Sequence, residues 1–258
     1  MASFKYKCPW WFKKFNTKHK ANSNTTQSKD STNIPEGRHV ASPFVFHSVG
    51  EDWQRKICTD LHLTFEKPNG VSRRGHDVPL GPPELSTLKS IVGDGNCMFR
   101  ALSYLVTGSE EQHGAVRNRI VQHMKDTGNL MLQAIISSQI ADASHTGRVT
   151  RSRGAPIVTS VDQYLRNTKM QDDCVWGTGI ELLCFAHLTK TCVLSYLGTN
   201  RVWDKLGPHN VDRSYAVDNT DQSLYLLNQN HHYEVVMSTR EEQHPIVDSN
   251  CTIDLTSN

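Results

Sequence analysis

No long apolar run interrupts this 258-residue chain, no two cysteines form a C-x-x-C pair, and neither sign of charge dominates it. Each absence excludes something. A membrane-spanning helix needs about 20 consecutive apolar residues, so none is expected. Lysines run through the N-terminus without a hydrophobic segment, which reads as no secretory leader. The seven cysteines (8, 58, 97, 174, 184, 192 and 251) are odd in number and scattered. That spacing argues against a disulfide framework or a zinc module, and the expected compartment is reducing and intracellular, cytoplasmic or nuclear. With 28 basic against 26 acidic residues, nothing global points to a nucleic-acid partner.

What charge there is lies unevenly. Residues 1–30 carry seven lysines against Asp30, a net of +6, which leaves −4 for the rest. Residues 1–42 therefore read as a basic, disordered tail, polar and without periodicity in its second half. Its Phe4, Tyr6, Trp10, Trp11, Phe12 and Phe15, set among lysines, would suit membrane-surface or partner contact. The stretch is short and holds Pro9, so a floppy basic tail is the preferred reading. Residues 43–84 form a partly ordered extension, with a strand and a short helix drawn from Phe44, Val45, Phe46, Trp53, Ile57 and Leu61. Residues 85–238 form the main domain and 239–258 a flexible tail.

Within the domain, helical spacing and turn residues predict a series of elements. Ser109 and Gln112 read as a capping box opening a helix with Val116, Ile120 and Met124 on one face. An apolar helix covers residues 129–143, a basic loop holds Arg148, Arg151 and Arg153, and Ser160 with Gln163 opens another helix. Thr178 leads into a helix carrying Ile180, Leu183 and His187, and residues 191–197 make a strand. Residues 224–227 and 233–236 flank a polar turn as a β-hairpin. The fold class expected is α/β (α+β), a small central sheet flanked by helices.

The most informative stretch is Gly93-Asp94-Gly95-Asn96-Cys97-Met98-Phe99-Arg100-Ala101-Leu102. Gly, Asp and Asn suit a tight loop, and Cys97 opens a helix that Gly108 stops. At a helix N-terminus the unpaired N–H groups and the macrodipole favour a thiolate, so the Cys97 thiol is expected below its ordinary value. A thiol nucleophile needs a base and something to orient that base. His231 and His232 stand where the hairpin turn enters the last strand, and alternation puts His232 and Glu234 on one face, with Tyr233 and Val235 on the other. Cys97, His232 and Glu234 make a reasonable triad on these grounds.

The stretch Asp94-Gly95-Asn96-Cys97-Met98-Phe99-Arg100-Ala101 resembles the signature of the OTU (ovarian tumour) cysteine proteases, the deubiquitinases. Trp176-Gly177-Thr178-Gly179-Ile180-Glu181-Leu182 is similar to the family's central motif, and His232-Tyr233-Glu234-Val235-Val236 to its C-terminal strand, in the right order. The resemblance runs over roughly residues 85–238. It implies an OTU-like, papain-type cysteine protease fold, Cys97 as nucleophile, His232 as general base, and Asp94 as support for the oxyanion loop. It implies ubiquitin or polyubiquitin as substrate and neither cofactor nor metal. Glu234 stands where the family more often has Asp or Asn, an extra methylene that lengthens the orienting bond; Met98 replaces the usual leucine. Two alternatives stay open: a weak or inactive module that binds ubiquitin without cleaving it, and a hydrolase for a ubiquitin-like modifier. Among the bystanders, Trp176 reads as packing and Glu181 as a helix-start stabiliser. Cys174, Cys184 and Cys192 read as core or half-buried thiols, and His113, His123 and His187 as surface or satisfied helix histidines.

Overall fold

A computed structural model describes residues 44–71, 80–81, 87–145, 158–198, 201–215 and 222–239. The aromatic–basic tail and the loop of Arg148, Arg151 and Arg153 lie outside the described residues. Six helices and five strands make up the rest: α1 (Glu51–Leu61), β1 (Thr87–Lys89), α2 (Cys97–Thr107), α3 (His113–Asp126), α4 (Gly128–His145), α5 (Val161–Thr168), α6 (Gly179–Thr189), β2 (Cys192–Leu197), β3 (Val202–Leu206), β4 (Ser223–Gln229) and β5 (His232–Ser238). A short 3-10 turn, Pro208–Asn210, lies just after β3. The fold is α+β, as the sequence predicts.

The strands order β1-β5-β4-β2-β3, antiparallel throughout except for the β2–β4 pair. Period-two alternation divides them between two cores. Val193, Leu224, Leu226, Tyr233 and Val235 pack against the helices. Cys192, Leu194, Tyr196, Tyr225, Leu227 and Val236 face the other way, where Phe46 and Leu80 cover them. Both faces of the sheet are thus buried.

The segment before the main domain packs directly on it. In α1, Gln54, Ile57, Cys58 and Leu61 recur at helical spacing and are buried, and Gln54 Nε2 donates to the Leu105 carbonyl at 3.0 Å. No strand forms among residues 44–50; Val45 and Ser48 make only isolated bridge contacts. The helix α2 stops at Gly108 (φ 81), where an added Cβ would lie 2.0 Å from the Lys67 carbonyl oxygen. Only glycine fits there.

Two expectations need correcting. Ser109 and Gln112 form no capping box: α3 starts at His113, with Gln112 itself at the N-cap and no side-chain cap bond. The Gln112 carboxamide instead bridges to the backbone of Thr64, accepting from its N–H at 2.9 Å and donating to its carbonyl at 2.6 Å. A tertiary contact outcompetes the local one. Strands β1 and β3 have no counterpart in the sequence reading either; β1 is three residues long and β3 carries Asp204 and Lys205 on the sheet edge, so neither has a strong alternating pattern. The remaining helix starts agree: the Ser160 hydroxyl accepts from Gln163 N, and Thr178 with Glu181 completes a capping box.

Candidate active site

The site is built where the N-terminus of α2 meets the start of β5. Gly95 takes φ +91, and an added Cβ there would stand 2.8 Å from the Cys174 carbonyl oxygen. Asp94 folds the loop on itself, its Oδ1 accepting from Asn96 N at 2.9 Å. Its Oδ2 accepts from Arg100 Nη2 at 2.7 Å and Nε at 3.0 Å, a forked pair one helical turn into α2. Burial works to raise the Asp94 carboxyl, but the Arg100 and Asn96 hydrogen bonds outweigh it and hold it at about 2. Asp94 is therefore a charged strut of the loop.

Cys97 is the first residue of α2 and is 8% exposed. Its Sγ lies 3.9 Å from the His231 carbonyl oxygen, at the turn before β5. Burial pushes the thiol above its ordinary value, against hydrogen bonding from the backbone of Tyr233, Met98 and Cys97 itself. The helix terminus does act in the expected direction, but desolvation is the larger effect. The expected lowering of the thiol is thereby overturned.

Two residues set the hairpin turn before β5. Asn230 (φ 53) and His231 (φ 65) are both left-handed, the requirement of a two-residue I′ turn. From His232 onward the side chains alternate, so Tyr233 and Val235 enter the helix-side core that also holds Cys97. His232 leaves on the other face and folds its ring beside Gly93, Cε1 lying 3.6 Å from where a Gly93 Cβ would be. The half-buried His232 and Glu234 share a face, but no hydrogen bond among the described residues joins them, nor joins His232 to the Cys97 thiol. The structure thus brings Asp94 and Cys97 onto one loop, with His232 across it and Glu234 two residues on.

Other residues complete the site, and for the Asn96 side chain and Arg117 the sequence reading held no role. The side chains of Cys97, Met98, Trp176, Thr178, His231 and Tyr233 line a cleft of about 190 Å³. Trp176, read as packing, stacks on His231 with ring centroids 5.7 Å apart and forms one wall. Asn96 is 1% exposed, and its Oδ1 accepts from Arg117 Nη2 at 2.8 Å and from Cys174 N at 2.9 Å. Cys174 is exposed rather than half-buried, at φ 59, while Cys184 and Cys192 are buried. One signal for Arg117 was present. It shares a stripe with Ile120, Val121 and Met124, and a charge on a buried stripe asks for a partner. Among the described residues no three His, Cys, Asp or Glu side chains form a metal-binding group.

No curated protein matches the chain. Solved structures similar to it include the viral OTU domain protease from Dera Ghazi Khan virus, 17% identical over 64% of this chain and 91% of that one, TM-score 0.39. The OTU domain of Hazara virus bound to ubiquitin is 19% identical over 63% and 89%, TM-score 0.40. An OTU deubiquitinase from Wolbachia pipientis wMel bound to ubiquitin is 17% identical over 60% and 98%, TM-score 0.36. Residues 89–188, which run from the end of β1 through nearly all of α6 and include Cys97 and Trp176, match the family model described as Vertnin, OTU domain. Over residues 89–188 the chain is thus similar to an OTU domain.

Proposed function

We propose that this protein is a cysteine-dependent deubiquitinase that cleaves isopeptide or peptide bonds after the C-terminal glycine of ubiquitin, with Cys97 as nucleophile and His232 as general base. One observation carries the proposal: the Cys97 thiol opens a helix inside a narrow cleft and faces the backbone at the start of the strand that bears His232. His232 takes the Cys97 proton, the resulting thiolate adds to the glycine carbonyl carbon, and the Cys97 N–H helps hold the oxyanion. Collapse of the tetrahedral intermediate expels the lysine amine, which takes its proton from His232. Water, giving its proton to His232, then hydrolyses the thioester and releases the ubiquitin carboxylate and the free thiol. Asp94 stays ionised and keeps the loop in shape; Glu234 stands where it can face the outer side of His232. An intracellular site of action agrees with the free thiols of Cys58, Cys97, Cys174 and Cys184.

A second reading, a module that holds ubiquitin or a ubiquitin-like modifier without cleaving it, has one observation in its favour. The thiol is pushed up by burial and makes no hydrogen bond to His232. Ubiquitin bearing a C-terminal electrophile separates the two. Wild-type protein should form a covalent adduct that Cys97→Ala abolishes, and His232→Ala should abolish diubiquitin turnover while His231→Ala retains most of it. Binding without any adduct, from folded wild-type protein, would overturn the enzyme in favour of the module.

A further inference from the structure

Asn96 sits at the N-cap of α2, where asparagine normally turns its side-chain oxygen onto the N–H groups of the first turn. Here it does not. Its carboxamide makes no capping bond, and its backbone (φ −104, ψ 6) is off the extended conformation that a capping asparagine adopts. The Oδ1 is turned away, to Arg117 Nη2 and Cys174 N. The amides left uncapped are those beside the Cys97 thiol, where the Met98 and Cys97 backbone favours its anion.

Arg117 is unusually committed to this arrangement. It is 2% exposed, and its guanidinium also donates to the carbonyls of Met170 (3.0 Å) and Val175 (2.8 Å) while lying over the Phe99 ring at 3.8 Å. Its Nε has no partner, and no carboxylate among the described residues forms an ion pair with it. Burial pulls it down to about 10. A cation kept in such a place with no close ion pair, only the longer-range pull of Asp173, Glu181 and Asp94, is a poor stabiliser of the fold.

We propose that Arg117 is a positioning residue: by holding the Asn96 side chain away from its own helix, it keeps the first amides of α2 free for the Cys97 thiolate and the oxyanion. This deepens the reading of Cys97 as nucleophile and rests on it. The carboxamide is also tethered by its Nδ2 to Asp94 Oδ2 at 3.2 Å and by the Cys174 N–H on Oδ1. Removing Arg117 takes away the charged donor on Oδ1 and shifts the balance towards a carboxamide that caps α2 and takes those amides for itself.

The test is a double-mutant comparison in the full chain. The rate of iodoacetamide alkylation of the Cys97 peptide is followed against pH by mass spectrometry, with the rate of ubiquitin-electrophile labelling alongside. Arg117→Met should raise the alkylation midpoint by about one pH unit and slow labelling about tenfold. Adding Asn96→Gly, which leaves no side chain to cap with, should bring the midpoint back towards wild type. A merely structural role predicts the opposite, a double variant at least as impaired as the single one, and that result would overturn the proposal. If Arg117→Met does not fold, Arg117→Lys carries the same comparison, because one ammonium cannot serve three separated oxygens. Alkylation reports on the thiol whether or not ubiquitin is the substrate. A failed ubiquitin adduct with a rescued midpoint thus indicts the function and spares Arg117.

Discussion

Among single residues, the thiol of Cys97 is pulled two ways. Amides at the start of α2 and at Tyr233 favour the anion, while burial at 8% exposure favours the neutral form and wins. Alkylation of Cys97 in the free protein should therefore keep rising past the ordinary thiol value of about 8.5. A plateau reached by about pH 7 would contradict this. Asp94 is the opposite case. Its folded value of about 2 lies below the unfolded value of about 3.9, so its stabilisation is complete above about pH 4 and is lost as pH falls towards 2. Its side chain is 28% exposed, so solvent screening reduces the effect to on the order of 1 kcal/mol. Arg100→Met should cost about that much near neutral pH and flatten the acid limb of a denaturation curve between about pH 4 and 2.

Between elements, two contacts tie down α6. The first is the start of α6. Glu181 is fully buried and accepts from Tyr164 Oη at 2.7 Å and from Thr178 N and Oγ1 at 2.8 Å, closing the capping box. Thr178→Ala should lower stability by about 1 kcal/mol, read from chemical denaturation, and loosen the cleft wall that Thr178 lines. The second is the His123–His187 bond between α3 and α6, 2.9 Å between Nε2 and Nδ1. Lys190 Nζ lies 3.4 Å from the far nitrogen of His187, which makes that nitrogen the acceptor and His187 Nδ1 the donor to His123. Burial, His187 and Lys190 together bring His123 down to about 4, against a weak pull from Asp126. A histidine lowered in the fold binds its proton first in the unfolded chain. Stability is then full above about pH 6.5 and declines as pH falls towards 4. The melting temperature should drop across that window, and His123→Gln should reduce the drop; equal slopes would remove the pair as its source.

For the molecule as a whole, residues 44–61 are part of the core. Phe46, Val49, Ile57, Cys58 and Leu61 are all buried, Phe46 on one face of the sheet and the others among the helices. At about 1.5–3 kcal/mol for each large apolar side chain, their removal exceeds much of a typical stability of about 5–15 kcal/mol. A chain beginning after Leu61 should show no cooperative melting transition by circular dichroism. A sharp transition would mean that the sheet and five helices suffice.

Much of this architecture could be read from residue order. Cys97 as the start of a helix stopped by Gly108, the caps at Ser160 and Thr178, and the hairpin around residues 228–231 all rest on neighbours a few positions apart. Local backbone geometry and side-chain spacing suffice for them, and one chain of amino acids states both. The Ser109–Gln112 cap failed because Gln112 found the Thr64 backbone, a partner 48 residues away. The same limit applies at the site. Whether the thiol is wet or dry, and that Arg117 turns the Asn96 side chain from its helix, depend on elements brought together from residues 96, 117, 174 and 231. Residue order was enough to say which side chains open the helices and turn the strands. Their charge, their exposure and the groups they face came from packing, because desolvation and buried hydrogen bonds belong to neighbours in space rather than to spacing along the chain.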